Sequence, residues 1–104
     1  MIRMVFTTFA DEAIAASVVR TLVAEELAAC GTIVPGARSI YRWKDKIEDA
    51  PEVVVIFKTT EAAYSAFESR LQALHPYETP EIIALGPAAV GEAYARWVEG
   101  CCAR

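Results

Sequence analysis

Val53-Val54-Val55-Ile56-Phe57-Lys58-Thr59-Thr60 is the stretch from which the fold is read. Five consecutive β-branched or aromatic residues make a central strand, covered on at least one face. Thr60 then caps a helix whose apolar residues Tyr64, Phe67, Leu71 and Leu74 share one side, with Glu61 in its first turn. Pro76 ends that helix. Upstream, residues 47–52 are mostly polar and Lys44-Asp45-Lys46 makes a charged turn. Residues 38–43 mix Ile, Tyr and Trp with Arg, Pro35-Gly36 reads as a bulge or bend, and Thr32-Ile33-Val34 is extended. These pieces predict a long, kinked second strand that extends as an arm.

Residues 1–9 are a first strand bounded by Ala10-Asp11-Glu12, and Asp11 caps a helix carrying Ile14, Val18 and Leu22, predicted to run to Cys30-Gly31. After Pro76, residues 80–85 give a short strand around Ile82-Ile83. Gly86-Pro87 breaks it, and Val90, Tyr94, Trp97 and Val98 mark a last amphipathic helix. The order β-α-β-β-α-β-α is α+β, the ferredoxin-like split β-α-β arrangement plus an extended arm and a C-terminal helix. One layer of helices protects one face of such a sheet. The first and central strands are apolar at consecutive positions, so their other face needs the third helix and a second copy of the chain to cover it. Tyr41 and Trp43 on the arm are natural inter-subunit contacts.

The chain has 104 residues, 55% of them hydrophobic and 23% charged, which fits one domain over residues 1–104. It would bury about 65% of its unfolded surface and expose roughly 5,800 Å². Fourteen acidic residues against ten Lys and Arg leave a net charge of -4, which argues against nucleic acid or an anionic membrane as partner. The N-terminal sequence lacks a signal-peptide layout and no apolar run approaches the roughly 20 residues that span a bilayer. A cytoplasmic protein is expected. Three cysteines, two of them adjacent, do not make a disulfide scaffold.

No phosphate-binding loop, dinucleotide fingerprint, nucleophile elbow or zinc-protease motif is present. The loop after the first strand, Thr7-Thr8-Phe9-Ala10-Asp11, lacks the paired thiols of a copper chaperone, and an acidic chain with an aliphatic central strand is a poor RNA reader. No nucleophile with an adjacent base is found, so a binding or signalling module is expected, not an enzyme. The residues with chemistry are few. His75, the one histidine, stands at a helix end with Tyr77, Glu78 and Glu81 after it, a set that could hold a divalent cation weakly; the plainer reading has its ring bonded to a terminal helix carbonyl. Lys58 could pair with Glu81 or bind an anion. Cys30 reads as a small buried hydrophobe closing the first helix, and Cys101 and Cys102 as incidentally exposed thiols. Arg38, Arg42, Lys44 and Lys46 on the arm need only surface pairing.

Leu27-Ala28-Ala29-Cys30, Ser39-Ile40-Tyr41-Arg42-Trp43, Lys58-Thr59-Thr60 and Leu74-His75-Pro76-Tyr77-Glu78-Thr79-Pro80-Glu81-Ile82 occur in an order and spacing that closely resemble the CutA family of divalent-cation-tolerance proteins. The likeness spans almost the whole chain. It implies a ferredoxin-like subunit in a tight homotrimer joined through sheet edges and arm, with a role in the response to metal ions. It also implies His75 as a copper ligand, with Glu78 and Glu81 beside it. The cysteine and second histidine of some members' proposed copper site are Thr7 and Leu74 here, so no cofactor is obligatory and a Cu²⁺ or other divalent ion is expected to bind weakly. The family is similar in turn to trimeric PII-like signalling proteins, which implies an alternative: a small molecule bound in an inter-subunit cleft near Tyr41, Trp43, Lys58 and Tyr77. A trimeric scaffold for a partner protein is the third reading.

Overall fold

In the computed structural model, which describes residues 1–102, β1 (Ile2–Phe9) alternates sides. Val5, Thr7 and Phe9 are wholly buried on one face, while Met4, Phe6 and Thr8 are half-buried on the other. α1 (Glu12–Ala24) starts at Asp11, whose carboxylate accepts from the N–H groups of Ala13 and Ile14. It stops six residues before Cys30, correcting the longer helix predicted. Glu26 adopts φ 61°, the Leu27 N–H donates to the Leu22 carbonyl and the Glu26 N–H to that of Val23. This is a Schellman ending with Glu at the left-handed position and the apolar pair Leu22 and Leu27 buried beside it. Cys30 therefore opens β2 and does not close a helix.

β2 (Cys30–Trp43) and β3 (Lys46–Thr60) form the arm, joined by Lys44 and Asp45 at φ 50° and 66°. Two positive φ values in a two-residue loop match the right-handed twist of the strands. Pro35 and Gly36, the latter at φ 87°, sit where the ladder slips between Val34 and Ala37, the bulge read from the sequence. The arm stretches the molecule to 44 × 26 × 21 Å, and its 6271 Å² of surface exceeds the scaling estimate.

α2 (Glu61–Leu74) is capped by Thr60, and β4 (Ile83–Leu85) is shorter than predicted. α3 (Glu92–Cys101) completes the described elements. The sheet order is β2-β3-β1-β4, antiparallel throughout, with β1 beside β3 and β4. α1 and α2 cover the face carrying Val5, Phe9, Val55 and Phe57, and Phe57 meets Phe67 edge-on at 5.0 Å.

The other face carries Met4, Phe6, Val54 and Ile56, flanked by Val34, Ile83 and Leu85, which are 43%, 51% and 50% exposed. α3 was expected to help cover it. It does so at one end only: Val98 and Cys102 pack on Ile2, which alternation places on this face, and on Ala29, and the Tyr94 hydroxyl lies 3.6 Å from the Cys30 thiol. Val90 precedes the helix, and Tyr94 and Trp97 remain largely exposed, so only Val98 of the predicted stripe is buried. Cys102, expected at the surface, is buried, with its thiol 3.9 Å from the Thr59 hydroxyl.

Candidate functional site

The chain leaves α2 at His75 and crosses the end of β1. Pro76 cannot extend a helix, and the His75 backbone has already turned extended. The imidazole is 7% exposed and stacks on Phe9 with ring centres 4.3 Å apart and planes 11° from parallel. Both of its nitrogens are engaged. Nδ1 accepts from the Tyr77 N–H at 3.1 Å, so it carries no proton, and Nε2 donates to the Thr8 carbonyl at 2.8 Å.

Burial pushes the His75 pKa below the ordinary imidazole value, against the opposing pull of the Thr8 carbonyl and Glu52. The ring is a neutral pin tying the loop to β1, with no lone pair left for a metal. The ring bonds a strand carbonyl and not the helix terminus of the plainer expectation, and both of its nitrogens are turned to protein partners. Thr7 points among the core residues, where its hydroxyl has no hydrogen-bond partner among the described residues.

Pinned in this way, the loop lays Tyr77 over β3. The phenol donates to Glu52 Oε2 at 2.6 Å, and its pKa is driven far above the ordinary value, first by burial and then by that carboxylate. Tyr77 stays protonated and remains a donor. Glu52 is 8% exposed and shares by alternation the face of Val54 and Ile56, the side away from α1 and α2. The sequence reading passed over it as part of a polar run. Its burial depends on a contact 25 residues away in the chain, for which no local signal exists.

Between the arm and this loop lies a cavity of about 740 Å³, lined among others by Thr8, Tyr41, Trp43, Glu52 and Tyr77, with Glu78 and Glu81 at its rim. Tyr41, Trp43, Tyr77, Glu78 and Glu81 are thus brought together. Lys58 is not. It lies six residues further along β3, roughly 20 Å away, and its ammonium donates to the Thr32 hydroxyl at 3.0 Å. Lys44 takes its place near the rim, 3.9 Å from Glu78 and 5.6 Å above the Trp43 ring. Among the described residues no three His, Cys, Asp or Glu side chains converge as a metal-binding group. A second groove, of about 600 Å³, follows α2 past Ala62, Ala66 and Ala73, and its one charged group, Arg70, is already held by Glu25.

Residues 3–101 match the family described as CutA1 divalent ion tolerance protein. A divalent-cation tolerance protein CutA of Thermus thermophilus is 41% identical over 98 residues, covering 94% of this chain and 95% of the relative. One from Escherichia coli K12/DH10B is 42% identical over 96 residues, covering 91% and 85%. The crystal structure of CutA from Xylella fastidiosa superposes with a TM-score of 0.94 at 40% identity, over 97% of each chain.

Proposed function

The chain belongs to the CutA1 divalent ion tolerance protein family, a family of non-enzymatic tolerance proteins, and from that premise we propose that it works as a homotrimer that contacts divalent ions weakly at its cleft. The observation that carries the assembly is the uncovered sheet face. Met4, Phe6, Val34, Val54, Ile56, Ile83 and Leu85 form an apolar surface on the side away from α1 and α2, with Val34, Ile83 and Leu85 about half exposed. The same sheet ends in two unpaired edges, β2 and β4, of 14 and 3 residues. Edge strands invite pairing with another chain, and a head-to-tail pairing of unlike edges gives a ring when the rotation between copies closes.

The metal reading moves from His75 to the rim. Glu78 and Glu81 are exposed oxygen donors, too few to hold an ion permanently, so Cu²⁺ or Zn²⁺ would bind weakly and exchange. Cys30, Cys101 and Cys102 are unpaired thiols, which supports a cytoplasmic setting.

Sedimentation in dilute neutral buffer tests the assembly: a trimer is expected, and a sole 11.4 kDa species would overturn it. Calorimetric titration of Cu²⁺ tests the rim, with Cys101 and Cys102 replaced by Ser throughout. Binding should survive His75→Ala and be lost in Glu78→Gln/Glu81→Gln; the reverse pattern would restore the histidine as ligand. The cleft between the arm and the Tyr77 loop favours a second reading, that of a trimeric module responding to a small molecule.

A further inference from the structure

Glu52 is a buried carboxylate without a cation beside it among the described residues. It is 8% exposed, and its Oε2 accepts the Tyr77 hydroxyl. Withdrawing a carboxylate from water costs far more than one neutral hydrogen bond returns, so such a group usually has its counter-charge beside it. Here the open side of Glu52 is the cavity. The lining of that cavity contains no Lys, Arg or His, while Glu78 and Glu81 add two more negative charges at the mouth.

The walls say what kind of positive charge fits. Tyr41, Trp43 and Tyr77 present rings to the space, and ring faces attract diffuse cations. Lys44, poised over Trp43 and near Glu78, shows the arm already accepting an ammonium group in this way. A bare divalent ion would need several converging donors, which the described residues do not supply. The volume of about 740 Å³ suits a small organic molecule.

We infer that the cleft between the arm and the Tyr77 loop binds a small organic cation, an alkylammonium or guanidinium group held against Glu52 with its apolar part between Tyr41 and Trp43. This deepens the small-molecule reading of the same cleft and rests on it. It is separate from the rim site for metal: the ammonium is held by Glu52 and the rings, the metal by Glu78 and Glu81.

The test is calorimetric titration of the full chain at neutral pH and constant ionic strength with tert-butylammonium, beside tert-butanol as its neutral isostere. Saturable binding of the ammonium and none of the alcohol is expected. Glu52→Gln keeps the shape and the acceptor for Tyr77 but removes the charge, and should weaken binding on the order of tenfold. Trp43→Leu, at the exposed end of the arm, should weaken it about threefold with the fold intact. Equal uptake of alcohol and ammonium would overturn the inference, as would unchanged affinity in Glu52→Gln. So would absence of ammonium binding together with a changed sedimentation of Glu52→Gln, because a basic side chain of a second copy would then be the counter-charge. Ammonium binding that persists in Glu78→Gln/Glu81→Gln while Cu²⁺ binding is lost would support the inference and separate it from the metal reading. Ammonium binding lost with Cu²⁺ in that variant would overturn it.

Discussion

The two faces of the sheet are built from the same kinds of residue and end in different environments. Along β3, Val53, Val55 and Phe57 lie beneath α1 and α2, while Val54, Ile56 and Lys58 alternate with them on the opposite side. Val55 and Phe57 are sealed within their own chain, whereas the strands flanking Ile56 leave Val34, Ile83 and Leu85 about half exposed. Hydrophobicity therefore tells that a residue must be covered. It does not tell by which chain. The apolar residues of the helical face stabilise the subunit, whereas the exposed apolar residues of the other face are left for a second chain to cover.

Paired substitutions of neighbouring β3 residues would break or confirm that contrast. Phe57→Ala removes the ring that meets Phe67 and should cost about 3–5 kcal/mol in denaturant unfolding. Ile56→Lys, one residue away, should preserve the far-UV spectrum while shifting the sedimenting species from trimer to monomer. A subunit unfolded by Ile56→Lys, with Phe57→Ala harmless, would reverse the assignment of faces.

His75 belongs to the helix-covered side, stacked on Phe9, yet it holds the loop that crosses to the other side. His75→Gln should cost about 2 kcal/mol through lost stacking and an imperfectly replaced pair of hydrogen bonds. Because burial lowers the pKa of the folded ring, the unfolded chain binds more protons below the ordinary imidazole pKa of about 6.5. Stability is thus full above that pH and lost as pH falls toward the lower folded value. Urea midpoints measured across this window should decline in the wild type and be flat in His75→Gln with respect to this group.

The smallest effect expected is a gain. Thr7 points into the helical face with its hydroxyl unsatisfied, so Thr7→Val should raise stability by about 1 kcal/mol with an unchanged urea slope. A loss would show that the hydroxyl has a partner in the assembled protein.

Much of this was legible in the residues. The element order, the Pro35-Gly36 bulge, the Lys44-Asp45 turn and the caps at Asp11 and Thr60 all follow from local chemistry, because φ preferences and capping side chains act within a few residues. The need for a cover on the second face followed too, from apolar residues at consecutive strand positions. The end of α1 did not, because Glu26 holds the left-handed position usually marked by glycine. The role of His75 also waited for the fold: the spacing placed an imidazole beside two carboxylates, but its lone pair was spent on a backbone N–H two residues on, and its proton on a carbonyl of β1. Glu52 was invisible for the same reason, since only the crossing of the Tyr77 loop over β3 buries it. Sequence by itself determined what each segment becomes, through short-range sterics and hydrogen bonding. Tertiary structure decided which polar groups lose their water, because that depends on neighbours brought together from distant parts of the chain.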